Sequence, residues 1–152
     1  MKGFTVRPLT AQEETLLGSL QISELQRRFL PPRPIAERLF QRWGFWESEK
    51  LIGVVEVVGR PPTLWIATIQ VDVSYQGLGY GTRGLAEVLK ALRRRARIRE
   101  VRAVVHMDNT PARRLFQRLG FWPVGSPDPF GEEVFVLFLE DSTTPNTGAA
   151  AP

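Results

Sequence analysis

Val71-Asp72-Val73-Ser74-Tyr75-Gln76-Gly77-Leu78-Gly79-Tyr80-Gly81-Thr82 is the stretch on which the reading of this chain turns. An apolar strand pattern enters it from Leu64, and a long helical pattern leaves it at once. Glycines at alternate positions, Gly77, Gly79 and Gly81, strip side chains from the backbone where it bends. Peptide N–H groups are then free to face a ligand, and the start of the following helix adds partial positive charge. Such a bend is a receptacle for phosphate.

Working outward from the bend, Phe4 to Leu9 alternates and predicts a first strand. Thr10 before Ala11-Gln12-Glu13 is an N-cap with an acid in the first turn, and helical spacing continues through Leu16, Leu17, Leu20, Leu25 and Phe29. Pro31, Pro32 and Pro34 interrupt it. A second helical piece is expected from Ile35 to Trp43, ended by Gly44. Phe45 to Glu47, Leu51 to Val58 and Leu64 to Val73 predict strands. Gly79 to about Ala96 predicts a helix with Leu85, Val88, Leu89 and Leu92 on one face. Val101 to His106 is a short strand, and Pro111 to Leu119 a helix opened by Asp108-Asn109-Thr110 and closed by Gly120. Phe121 to Val124 and Val134 to Leu139 complete the sheet. The expected class is α/β or α+β: a mixed, mostly antiparallel sheet of about seven strands flanked by helices. Residues 1–140 are expected to form one domain, with 141–152, rich in Ser, Thr, Pro and Ala, a disordered tail.

Composition removes several classes of chemistry. The chain of 152 residues is 43% hydrophobic with four tryptophans, enough for a sizeable core. It has no cysteine, so disulfides, a thiolate nucleophile and zinc on sulfur are excluded. One histidine, His106, cannot build a multi-histidine metal site, so no metal is expected. No apolar run is long enough for a signal peptide or a membrane span, and a cytoplasmic, soluble protein is the expectation. The net charge of +4 is modest and spread along the chain, which disfavours a dedicated nucleic-acid binder.

Gly79-Tyr80-Gly81-Thr82-Arg83-Gly84 fits the letters of the dinucleotide fingerprint G-x-G-x-x-G. That fingerprint needs its first glycine directly after the strand, yet Ser74 to Leu78 intervene. A P-loop needs a lysine after its last glycine, and Gly81-Thr82-Arg83 offers none. The remaining parsing is Gln76-x-x-Gly79-x-Gly81, and downstream stands Asn109-Thr110-Pro111-Ala112-Arg113-Arg114-Leu115-Phe116-Gln117-Arg118-Leu119-Gly120-Phe121. In these two segments the chain resembles the GNAT superfamily of N-acetyltransferases. Its members carry a strand, then Gln/Arg-x-x-Gly-x-Gly/Ala, then a helix. Further on they show Asn, Ala three residues later, an aromatic four further, and Gly-Phe at the helix end. The resemblance spans roughly residues 45–124 and implies the GNAT acyl-CoA N-acyltransferase fold.

The resemblance implies transfer of an acetyl group from acetyl-CoA to a primary amine of a small molecule or a protein. It places the CoA pyrophosphate on Gln76, Gly77, Leu78, Gly79, Tyr80, Gly81 and Thr82. The pantetheine arm would run along the preceding strand, bonded to backbone near Ile69, Val71 and Val73, with Asn109 on its far side and Phe116 beside it. The amide of Val71 would meet the oxyanion. Arg83, Arg113 or Arg114 could reach a terminal phosphate, although a solvated helix face explains each as well. Relatives are often dimers, which makes a homodimer an expectation by analogy alone.

The general base is open. Glu56 interrupts the apolar run Leu51 to Val58, and a carboxylate buried among valines would have the raised pKa that suits a base. An exposed strand face is the competing account, and Asp72 or a water chain is another base. Many relatives carry tyrosine at the aromatic position to protonate the departing sulfur, whereas this chain has Phe116, so water or Ser126 would have to serve. That departure supports an alternative reading, a non-catalytic acyl-CoA-binding or sensing module. Arg27, Arg28, Arg33, Arg38 and Arg42 lie on the expected acceptor wall, where an anionic acceptor or a solvated face would account for them. Arg93, Arg94, Arg95 and Arg97 crowd the end of the long helix, where cations suit the helix dipole.

Overall fold

The computed structural model describes residues 3–23 and 38–139. Seven strands form one sheet: β1 (Phe4–Pro8), β2 (Leu39–Glu47), β3 (Lys50–Arg60), β4 (Thr63–Val71), β5 (Glu100–His106), β6 (Trp122–Val124) and β7 (Glu132–Phe138). Their order is β1-β2-β3-β4-β5-β7-β6. All neighbours are antiparallel except β4 and β5. The described residues also hold helices α1 (Tyr80–Arg93) and α2 (Thr110–Arg118) and 3-10 turns at Glu13–Ser19 and Val73–Tyr75. The mixed, mostly antiparallel sheet is the one the sequence predicts.

The parallel β4–β5 pair follows from chain economy. Antiparallel strands can be joined by tight turns, such as Ser48-Glu49 between β2 and β3. A parallel pair needs a crossover, which here is α1. Helix α1 buries Leu85, Val88, Leu89 and Leu92 in the same cluster as Phe45, Val55, Val57, Leu64 and Ile66 of the sheet. Each such side chain contributes about 1.5–3 kcal/mol. Phe116 and Phe121 place α2 on that cluster too, so both helices lie against one face.

One helix of the sequence reading is overturned. Ile35 to Trp43 was expected to be helical, but Leu39–Glu47 is a strand paired on one side with β1 and on the other with β3. Leu39, Phe40 and Trp43 suit helical spacing, yet Trp43 and Phe45 also alternate into the core. Period alone cannot separate the two, and pairing on both edges decides. Leu25, Phe29 and the helical spacing expected there, with Arg27, Arg28, Arg33 and the three prolines, lie outside the described residues. So does the tail expected at 141–152.

Local signals at the other ends are observed. Thr10 and Glu13 cap each other: the Glu13 N–H donates to Thr10 Oγ1 at 3.2 Å, and the Thr10 N–H to Glu13 Oε1 at 3.0 Å. Gly120, at φ +93°, closes α2, with the Phe121 N–H donating to the Phe116 carbonyl at 3.0 Å.

Candidate functional site

The sheet opens where the glycine bend begins. Strands β4 and β5 pair only from Thr63–Glu100 to Ile66–Ala103. Beyond that point β4 stays with β3 as far as Val71–Gly53, while β5 stays with β7 as far as His106–Glu132. A wedge therefore separates residues 67–71 from residues 104–106. The Asp72 N–H donates to the Ile52 carbonyl at 2.7 Å, so Asp72 faces β3. By the antiparallel alternation, the backbone groups of Val71 and Ile69 then face the wedge.

Asp72 starts the bend as an anchor. Its carboxylate accepts from the N–H of Gln21 at 3.0 Å and from the N–H of Ser74 at 3.0 Å. Those two peptide donors, Gln21 first, hold its pKa below the ordinary carboxylate value. A buried carboxylate with both oxygens engaged is a poor proton acceptor, so the Asp72 alternative for the base falls away. Val73 is also engaged: its N–H donates to the Gln21 carbonyl at 2.7 Å, and its carbonyl accepts from the Gln76 N–H at 3.4 Å. The Gln76 side chain donates to the Val71 carbonyl at 2.9 Å. Val73 and Gln76 thus brace the bend from within. Sequence reading missed Asp72 and Gln21 as anchors, although Asp72-Val73-Ser74 has the pattern of a side-chain turn.

The next six residues behave differently. Among the described residues no acceptor lies in reach of the N–H groups of Gly77, Leu78, Gly79, Tyr80, Gly81 or Thr82. Gly77 and Gly79 adopt φ of +74° and +86°, which L side chains rarely adopt. Gly79 is the N-cap of α1 and carries no capping side chain, and the first turn has no acid. The exposed N–H groups and the helix start therefore make an anion seat with no charged side chain in it. Gly81 serves packing as well: a Cβ there would lie 3.2 Å from Leu115 of α2.

Gly84, the last glycine of the G-x-G-x-x-G letters, serves packing. A Cβ on it would come within 2.3 Å of the Phe45 ring, so this glycine lets α1 settle on β2. Tyr80 fastens the other side of the bend. Its hydroxyl donates to Glu47 Oε2 at 2.9 Å, which lifts the phenol above its ordinary pKa. Its ring packs on Phe4 and Tyr75 at centroid distances of 5.2 and 5.7 Å.

Glu56 lies between Val55 and Val57, both in the core, and so points to the sheet face opposite the helices. It is not buried among valines: its side chain is 28% exposed and accepts from Arg42 Nε at 2.7 Å. Arg42 also donates to Glu14 Oε1 at 3.0 Å. Glu56 pairs across the strands with Thr68, one residue before Ile69 on the wedge.

On the far side of the wedge Asn109 caps α2, its Oδ1 accepting from the Ala112 N–H at 3.3 Å. Phe116 is 4% exposed and packs against Phe121 and Phe135, a core position with no polar neighbour in its ring contacts. His106 Nδ1 accepts from the Asp108 N–H at 3.0 Å. Arg113 is paired with the buried Glu133, which takes it from the phosphate candidates. Arg83 reaches Glu87 at 3.9 Å, and Arg114 is exposed. No cluster of three His, Asp or Glu that could hold a metal occurs among the described residues. No helix among them is long and apolar enough to cross a membrane.

The family described as acetyltransferase (GNAT) family matches residues 11–121. Solved structures agree on the fold. The ribosomal-protein-S18-alanine N-acetyltransferase from Escherichia coli superposes with a TM-score of 0.69 at 18% identity, covering 90% of this chain and 94% of that one. Spermidine N-acetyltransferase from Vibrio cholerae, in complex with CoA and spermine, gives 0.72 at 15% identity over 91% and 97%. Arabidopsis thaliana NAA60 in complex with acetyl-CoA gives 0.68 at 21% identity over 89% and 99%. No curated protein sequence matches the chain.

Proposed function

Because the chain belongs to the GNAT acetyltransferase family, we propose that it moves an acetyl group from acetyl-CoA to a primary amine of a small molecule or a protein. The observation that carries this reading is the run of unspent N–H groups from Gly77 to Thr82, set at the mouth of the β4–β5 wedge. The pyrophosphate takes the N–H groups, and the pantetheine arm enters the wedge as a false strand beside Ile69 and Val71. Val73 drops out of that pairing because its own groups are used within the chain. The structures of relatives with CoA and acetyl-CoA support the choice of ligand.

In the reaction the acceptor ammonium first gives a proton to Glu56, directly or through water. The neutral amine attacks the thioester carbonyl, the oxyanion is met on the β4 edge at Val71, and the carbon–sulfur bond breaks. The amide product sheds its proton to solvent. Arg42 orients Glu56 through the 2.7 Å hydrogen bond from its Nε. Phe116 gives no proton, so sulfur leaves as thiolate, which a thiol pKa near 8.5 permits. The same residue motivated the binding-module alternative, which gains nothing from the structure: Phe116 is filled by core packing and leaves the wedge and the N–H seat intact.

The test has two parts. Calorimetry should show binding of acetyl-CoA and none of NAD; the reverse result removes the proposal. A thiol-release assay over a panel of polyamines, amino sugars and peptide N-termini should then show turnover. Glu56→Gln should lower kcat/KM about 100-fold, as for a lost general base, with CoA affinity unchanged within about twofold. An unaltered pH–rate profile would take Glu56 out of the mechanism.

A further inference from the structure

The far end of α1 holds a feature that acetyl transfer does not use. A cavity of about 230 Å³ lies between the C-terminal half of α1 and strands β1 and β2. Its floor is apolar, with Val6, Pro8 and Trp43. Its rim carries Lys90, Arg94 and Arg95, with Glu87 as the only carboxylate in the lining among the described residues. Complementing the helix dipole asks less of these arginines, and a splay into solvent would have sufficed for it. Instead they converge on one groove.

We propose that this groove is a second ligand site, separate from the acetyl-CoA seat, and that it takes a small multivalent anion of the phosphate class. Charge supports this. Lys90 shares Glu87 at 3.6 Å, and Arg94 has no carboxylate in reach among the described residues. Arg95 is held by neutral groups, its guanidinium 5.0 Å from the Phe40 ring and hydrogen-bonded to Gln41 Oε1 at 3.4 Å. The helix end contributes about half a negative charge. The three cations exceed that and Glu87 together, so the groove stays positive. Size narrows the ligand. Drug-sized pockets run to roughly 300–1,000 Å³, and this cavity is smaller. Guanidinium groups favour phosphate because two N–H bonds can form at once.

Pyrophosphate titrated calorimetrically into the full chain tests the site. The glycine bend is itself open to pyrophosphate, so Gly79→Val serves as a control that spoils the bend. Wild type and Gly79→Val should bind with dissociation constants within about twofold. The Arg94→Gln/Arg95→Gln double variant should bind at least about tenfold more weakly, as loss of charge-assisted bonds predicts, with an unchanged circular dichroism spectrum. In nuclear magnetic resonance spectra the Gln41 and Ala91 amides should shift on titration of wild type. No binding to wild type, loss of binding in Gly79→Val, or undiminished binding in the double variant would each overturn the proposal. None of these outcomes depends on whether acetyl-CoA is the ligand of the bend.

Discussion

The two ends of α1 offer an anion opposite kinds of contact. At the start, Gly77 to Thr82 offer peptide N–H groups and no cationic side chain. At the end, Lys90, Arg94 and Arg95 offer side chains over an apolar floor. The backbone seat cannot be titrated and cannot be removed by a charge substitution. It can be spoiled only by bending the chain or by adding a Cβ. The side-chain seat has the converse weakness: it responds to charge substitution and to salt, and it tolerates Cβ atoms throughout. The same helix thus separates a site specified by conformation from one specified by residue type.

The sharpest way to break that contrast is Gly79→Val. A β-branched residue at φ +86° strains the bend by about 1–3 kcal/mol and tilts the N–H groups off their common focus. CoA should bind roughly 10–100-fold more weakly by calorimetry, while Arg94→Gln should leave CoA affinity within about twofold. If the arginine change weakens CoA as much as the glycine change does, the separation of the two ends is wrong.

Gly84→Ala sharpens it from within the helix. The new methyl would meet the Phe45 ring at 2.3 Å, so overpacking should cost about 1–3 kcal/mol in denaturant unfolding. CoA affinity of the folded fraction should persist. Two glycines five residues apart then separate cleanly, one serving ligand and one serving fold. Asp72→Ala should cost somewhat less, about 1–2 kcal/mol, because the Gln21 and Ser74 N–H groups lose a buried acceptor but can find water at this rim. A parallel loss of CoA affinity is expected, since the bend loses its anchor to the segment before it.

What could be read from the chain follows the same division. The glycine bend at the start of α1 was legible because glycine spacing is local, and local geometry decides it. The α2 cap at Asn109 and the close at Gly120 were legible for that reason too. The packing role of Gly84 was not legible because only the fold brings Phe45 against it. For Glu56 a buried site and an exposed strand face both stood open, and the Arg42 that pairs with it belongs to a segment read as helix, so their cross-strand meeting could not be foreseen. The first part of the strand Leu39–Glu47, as far as Trp43, was lost because aromatic residues fit both periods. The groove at the end of α1 depends on β1 and β2 lying beneath the helix, and no local pattern encodes that.

The smallest expected effect lies away from both ends of α1 and serves as their control. Glu13 accepts from Arg7 Nη1 and Nη2 at 2.7 Å each, joining the first 3-10 turn to β1. That bidentate pair, with the Thr10 N–H, holds the carboxyl down from its ordinary value of 4.5 to about 2. A depressed carboxyl adds stability at pH values above its unfolded pKa and loses that contribution as pH falls through its folded one. The window is therefore about pH 4.5 down to 2. The pair sits in solvent, where screening keeps exposed ion pairs weak. Thermal unfolding of Glu13→Gln should show a shallower decline than wild type across that window and the same stability slope above it. CoA and pyrophosphate binding at neutral pH should not change, because neither seat is built on this pair; a loss of either would mean that the anchor through Gln21 and Asp72 transmits strain from the first turn to the bend.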